Sequence, residues 1–267
     1  MQTFLPYPDF AASARVLDQA RLGKQRVETL QALRALVIPD YGWRRHPAIR
    51  MWMGYVPALT VYGLAMVAEW VSRGHADSTH RQILEFAPRV LEEPDVPMPP
   101  WFGDPALHLS HRSNLVQKAP EIYRHRFPGA PEDLPYVWPA PERESEPVEP
   151  AGRRLWIWRG ACTPTGTADD AVLLMPHVPA GGHAAPKWQR QLHAFEESVE
   201  EGDAVALPDA DGCFRTGRVG PVLMHEDGLV RTARLQGRLR RSDVDPPALL
   251  QDPRTLFGVG LPPTLRT

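Results

Sequence analysis

Lysine is nearly missing from this chain. Of thirty basic residues only Lys24, Lys118 and Lys187 are lysines, and the rest are arginines. Arginine serves as well for bulk charge and surface ion pairs, so an isolated lysine is a candidate for chemistry that needs an amine. Cysteine is just as scarce. Cys162 and Cys213 lie far apart with no CxxC pair, which argues against a disulfide framework and against a cysteine zinc site. Long hydrophobic runs are absent too: the most apolar stretch, MWMGYVPALTVYGLAMVAEW, is interrupted by Gly54, Pro57 and Gly63. MQTFLPYPDF has no basic n-region, so the expectation is a soluble cytoplasmic protein with no membrane partner. No glycine-rich phosphate loop, Ser/His/Asp order signature or HExxH occurs, which disfavours nucleotide hydrolysis by a familiar loop.

What is present suits a folded chain. The 267 residues are 43% hydrophobic, enough for one large domain or two small ones. Net charge is only −2 but unevenly spread. Residues 15–50 hold eight Lys or Arg against three acids, and residues 108–126 hold four against one. Between them, residues 77–104 hold six acids against two arginines. Two readings stand at this point: a face for an anionic ligand, or patches that neutralise each other across the surface.

Proline and glutamate dominate residues 138–154, which predicts an extended linker at 139–153 between domains at 1–138 and 154–267. The first half reads helical. Val16, Ala20, Gly23, Val27 and Leu30 are spaced as one apolar stripe, with Arg21, Lys24 and Glu28 on a neighbouring face and Asp18 one turn before Arg21. Further helices are expected at about 52–73, from Ser78 or Thr79 to before Pro88, and at 110–118. The second half changes period. LWIWRG, AVLLMPHV, DAVALP, CFRTGRVGPVL and LVRTARLQGRL predict strands, with helices near 187–199 and 247–251. The expected class is α+β multidomain: an all-α N-terminal domain, then a small mostly-β domain, barrel-like or a half-open sheet.

LDQARLGKQRVE, YGWRRHPAIRMW, GLAMVAEWVSRGHADST and HLSHRSNLVQKAPEIYRHRFPG, in this order and spacing, resemble the pyrimidine-dimer DNA glycosylases of the phage endonuclease V type, in a divergent bacterial branch, over residues 1 to about 139. The resemblance implies a compact helical domain that grips DNA, damaged or single-stranded, and extrudes a nucleotide. An amine then attacks the sugar C1′, forming a Schiff base that also permits strand cleavage. In that family the amine is the α-amine exposed by methionine removal, with a helical glutamate assisting. Here Gln2 follows Met1 and its bulk should prevent that removal, while the family's glutamate aligns with Gly23. Arg26 and Lys118 keep basic positions of the family, and Asn114 stands where it has an arginine.

If the chemistry persists, Lys24 is the candidate amine, because flanking Arg21 and Arg26 would favour its neutral form; the plain alternative is an i,i+4 ion pair with Glu28. Glu28 is the candidate carboxylate, with Asp18 as alternative, and His46 a proton donor or a loop histidine packed on Trp43 or Trp52. Arg44, Arg45, Arg50, Arg112 and Lys118 are candidate phosphate contacts. His111 and Asn114 are further candidates at the DNA face. Tyr55, Trp101, Tyr123, Tyr136 and Trp138 are candidates for base stacking, most of them expected in the core. His108 and His111, three apart, lack a third ligand, so neither a metal nor a cofactor is expected. The run from Gln191 to Val222 weakly resembles β-domains appended to restriction-type nucleases, through a GD-V-LP strand start and a GR-V-GP turn. Arg231, Arg234, Arg238, Arg240 and Arg241 would there suit phosphate, or balance Asp243 and Asp245, or dock the domains. The expected function is a DNA glycosylase with AP-lyase activity. The alternatives are a non-catalytic nucleic-acid or modified-base binder and an enzyme of free nucleosides or nucleotides.

Overall fold

Asp9 and Asp18 each cap a helix by accepting a hydrogen bond from a backbone N–H of the first turn, and so cut the start of the chain into α1 (Phe10–Val16) and α2 (Gln19–Val37). In the computed structural model the described residues are 1–142, 152–165, 169–178 and 185–265; the expected linker falls largely outside them. The chain divides into two compact units, Met1–Val148 and Glu149–Thr267.

In the first unit α3 (Pro47–Arg50), α4 (Val56–Ser72), α5 (His80–Leu84), α6 (Pro105–Lys118) and α7 (Pro120–Arg126) follow. The expected helices at 52–73 and 110–118 correspond to α4 and to the last turns of α6, which starts earlier because Asp104 caps it and Pro105 suits the first turn. The stripe expected on the first helix holds only at Leu30, which is buried. Val16 belongs to α1, Val27 is exposed, and α2 also buries Leu22, Gln25, Thr29, Ala32, Leu33 and Leu36. Two of those six are polar: Gln25 lies inside because the chain's first residues bond to it, and Thr29 because its methyl packs beside Gly63 of α4.

Residues 2–6 thread through this unit as an extended segment whose backbone groups are satisfied by side chains. Gln2 N–H donates to Glu28 Oε2 (3.0 Å), Phe4 N–H to Gln25 Oε1 (2.9 Å), and Gln25 Nε2 returns a bond to the Gln2 carbonyl (3.0 Å). Buried Tyr62, on α4, places its hydroxyl 2.5 Å from Gln25 Oε1 and 3.0 Å from the Phe4 carbonyl. Leu5, fully buried, has its peptide clasped from α6: its N–H donates to His111 Nδ1 (3.1 Å), and His108 Nδ1 donates to its carbonyl (2.7 Å). Arg112 adds a bond to the Pro6 carbonyl (3.1 Å). The two histidines of α6 are thus the sheet-like partner this segment otherwise lacks.

The second unit is a seven-stranded mixed sheet. Its strands are β1 (Arg154–Trp158), β2 (Cys162–Pro164), β3 (Asp170–Pro176), β4 (Ala204–Pro208), β5 (Phe214–His225), β6 (Gly228–Leu239) and β7 (Leu256–Gly260), in the order β2-β3-β6-β5-β4-β1-β7. β1 and β4 run parallel; the other pairs are antiparallel. Trp156, Trp158, Val205 and Leu207 face one apolar cluster, and Leu155, Ile157, Ala204 and Ala206 the other. Burial of both faces explains why LWIW and AVAL are continuous apolar runs without alternation. α8 (Pro186–His193) and a π-helical turn (Ala194–Ser198) cover the first cluster through Trp188 and Phe195.

Arg231 on β6 is not a phosphate contact. It is buried, and its guanidinium donates to the carbonyls of Phe195, Gly220, Glu196 and Val199 at 2.6 to 3.1 Å, tying the π turn to the sheet. Removing it strands several buried acceptors, each costing about 1–3 kcal/mol. Arg231→Met is therefore expected to lower stability by about 3 kcal/mol or more, read from the urea transition that carries the β-sheet circular-dichroism signal.

His111 yields a second expectation. Burial pushes its pKa down to about 3, with the neighbouring His108 adding to the effect. In the unfolded chain the ring takes up its proton near 6.5. Between those values the unfolded state binds the extra proton, so stability falls as pH drops from about 6.5 towards 3, by up to about 1.4 kcal/mol per pH unit. His111→Gln should flatten that slope in pH-dependent denaturation of the full chain, whatever it does to stability at neutral pH.

Candidate functional site

The first turns of α2, the chain start, the 43–46 loop and residues 136–138 converge on a cavity of about 580 Å³ in the first unit. Met1, Gln2, Arg21, Lys24, Glu28, His46, Lys118, Tyr136 and Trp138 line it. Helical spacing brings Arg21, Lys24 and Glu28 to one face, as the sequence predicts. The threaded segment then lays Met1 and Gln2 beside them.

Glu28 is the hub. Its Oε2 accepts from Gln2 N–H (3.0 Å) and Gln25 Nε2 (3.2 Å), and its Oε1 lies 3.8 Å from Lys24 Nζ. Glu28 is largely covered, whereas the Lys24 side chain is 74% exposed, so the ammonium lines the cavity while still reaching water. The cationic neighbours expected around Lys24 are engaged elsewhere. Arg21 pairs with Asp18 (2.6 Å), and Arg26 turns away to pair with Asp77 while stacking over Trp70 at 4.2 Å. Asp18, the alternative carboxylate, is held by its own partners. Burial alone would raise its pKa, but hydrogen bonds from Tyr123 (2.5 Å) and Arg21 outweigh that and hold it below the usual range.

His46 caps α3, its Nδ1 accepting from Ala48 N–H (3.2 Å), which leaves the ring hydrogen on Nε2. Burial, helped by the positive chain start, pushes its pKa below the ordinary value. At neutral pH the ring is therefore uncharged, a hydrogen-bond donor rather than an acid. It packs edge-on between Trp43 (6.0 Å) and Trp138 (6.1 Å), not against Trp52, and Tyr136 continues the aromatic wall at 5.0 Å from Trp138. Trp43 is 62% exposed and adopts a left-handed backbone (φ 71°).

Several expected DNA-face residues are drawn into the protein instead. His111 and Tyr123 are fully buried, and Asn114 donates to the Ser110 and Leu134 carbonyls (both 2.9 Å). Arg112 serves the Pro6 carbonyl, and Tyr55 and Trp101 are core, as most of the aromatics were expected to be. Arg45 and Arg50 are exposed, Arg44 is half-buried, and none of the three lines the cavity. Gln2, which lines the cavity, was expected only as a bulky block to methionine removal. Its place on Glu28 depends on a fold contact 26 residues away, which local spacing does not reveal. Gly23, where the glutamate implied by the resemblance is expected, faces Trp70: a Cβ there would meet the indole at 2.9 Å, and neither residue lines the cavity.

The fold comparison yields no match among solved structures, and no curated protein matches either. A family model does match. It is the one described as pyrimidine dimer DNA glycosylase, and it covers residues 1–82, the segment that carries Gln2, Lys24, Glu28 and His46.

Proposed function

We propose that the first unit is a DNA glycosylase that recognises an altered base and cleaves its glycosidic bond through an amine, with AP-lyase activity following from the Schiff base. The observation that carries this reading is the conjunction of a primary amine, a shielded carboxylate and a neutral histidine in one cavity, within the segment that matches the glycosylase family. Lys24 Nζ is the assigned nucleophile. Its exposure in the free protein is compatible with the role, because the amine stands open to an incoming sugar. Attack forms a C1′–N bond while the base leaves with the glycosidic electron pair and takes up the proton that the amine gives up, passed on through Glu28. Opening of the sugar ring then gives the imine. Glu28 sits where it can accept the amine proton and offset positive charge at C1′, and His46 where it can donate to the sugar or base. Tyr136 and Trp138 supply an aromatic wall for an unstacked base, and Lys118 a phosphate contact.

Borohydride reduction in the presence of duplex DNA bearing an abasic site or a damaged pyrimidine tests this. A covalent adduct is expected, lost in Lys24→Ala, reduced by at least 100-fold in Glu28→Gln and kept in Lys187→Ala. Mass spectrometry of the trapped peptide separates the amines: an adduct on the Met1 or Gln2 nitrogen, with Lys24→Ala still reactive, would move the nucleophile to the chain start. DNA binding with no adduct under any condition would replace the enzyme with a non-catalytic binder, and binding insensitive to salt would point to free nucleotides instead.

A further inference from the structure

The GRVGP segment of β5 has no part in the site above, yet it is built in an unusual way. The pairing of β5 with β6 slips twice, between Thr216 and Gly217 and again between Val219 and Val222, so Arg218 sits between two β-bulges. Gly217 tolerates no side chain, and one at Gly220 would have to displace a threonine hydroxyl. A Cβ at Gly217 would lie 1.8 Å from the Arg234 carbonyl oxygen, and one at Gly220 would lie 2.3 Å from Thr232 Oγ1. Bulges bend and twist a strand locally, and here they make a concave groove of about 490 Å³ on the sheet.

Arg218 and Arg234 are direct cross-strand partners in that groove, and both line it. Like charges placed opposite each other on neighbouring strands destabilise a sheet. Among the described residues the one carboxylate lining the groove is Asp170, which reaches Arg234 Nε at 4.0 Å through a pair 73% exposed on the arginine side. Such a pair contributes little. Among the described residues Arg218 makes no salt bridge and reaches only the Gly202 carbonyl, at 3.3 Å. The hydroxyl-bearing Thr165 and Thr232 complete the lining. Two opposed guanidiniums with two hydroxyl-bearing neighbours form a recognition set for phosphate oxygens.

From this geometry we infer that the groove between β5 and β6 holds the phosphodiester backbone of a nucleic acid, as a second contact outside the cavity of the first unit. Both guanidiniums are open to solvent, which suits a polyanion that supplies successive phosphates better than a single small anion needing an enclosed site. The identity of the ligand rests on the DNA reading of the first unit; the cationic groove does not.

The test uses the full chain and a fluorescein-labelled 30-base-pair duplex, with anisotropy titrations from 0.05 to 0.3 M salt. Arg218→Gln and Arg234→Gln are each expected to weaken binding about fivefold near 0.15 M salt and to lower the salt slope by about one, whereas Arg218→Lys keeps most of the slope. Arg89→Gln, exposed in the first unit, should change neither. Borohydride trapping at saturating DNA should be unchanged in the groove variants. An Arg218→Gln/Arg234→Gln double variant that unfolds at the wild-type temperature and binds DNA with wild-type affinity and slope overturns the inference. So does thermal stabilisation by millimolar orthophosphate that the double variant loses while its DNA affinity stays intact, because the groove would then serve a free anion. Failure to trap any adduct, with the groove variants still weakening DNA binding, would leave this site standing and remove only the glycosylase reading.

Discussion

Everything in the first unit depends on where its first six residues run. An extended segment inside a helical domain has no neighbouring strand, so each buried N–H and carbonyl must find a side chain. Gln25, Glu28, Tyr62, His108 and His111 supply those partners, from three helices distant in sequence. The segment is therefore a keel rather than a loose terminus. It fixes α2 against α6, and it delivers Met1 and Gln2 to the cavity wall. Glu28 joins structure to chemistry, because one of its oxygens holds the keel while the other faces Lys24. A carboxylate held this way cannot swing off into solvent, so its distance from the amine is set by the fold.

That arrangement also explains which parts of the unit could be read in advance. The class of the fold, the two longest helices and the shared face of Arg21, Lys24 and Glu28 follow from spacing alone, because helical geometry puts i, i+3 and i+7 together regardless of what lies around them. The buried face of α2 was misread for a definite reason. Gln25 looks like a surface residue unless the threaded segment it serves is known to be there. His108 and His111 are similar: three apart and lacking a third ligand for a metal, they have as their partner one peptide group a hundred residues away. Short helices such as α3 and α7 leave too few residues for a periodic pattern, and each is opened by a proline in its first turn.

In the second unit the strands were visible as β-branched and aromatic runs, but the arginines were not separable by sequence. Arg231 and Arg234 are three residues apart on β6 and meet opposite fates, one inside among four carbonyls and the other outside facing Arg218. Strand alternation assigns opposite faces to residues three apart, and the π turn carrying Phe195 decides which face is covered. Arg238 is tied locally to Asp209 and Asp211, and at Arg240 it is the backbone N–H, capping a short turn, that bonds Asp243.

The scarcity of lysine takes on meaning from these contrasts. Where the molecule needs a cation to satisfy several acceptors at once, as at Arg231, or to pair with a carboxylate while stacking on an indole, as at Arg26, it uses a guanidinium, whose planar fork spreads its donors in fixed directions. A guanidinium cannot lose its proton at physiological pH, so it cannot become a nucleophile. Of the three lysines, two, Lys24 and Lys118, line the same cavity, and the carboxylate nearest Lys24 is kept in place by the main chain rather than by an arginine. An arginine at position 24 would reach Glu28 and form a stronger, forked pair, closing off the carboxylate. The lysine makes only a 3.8 Å contact, which leaves both the amine and the carboxylate available to a third party between them.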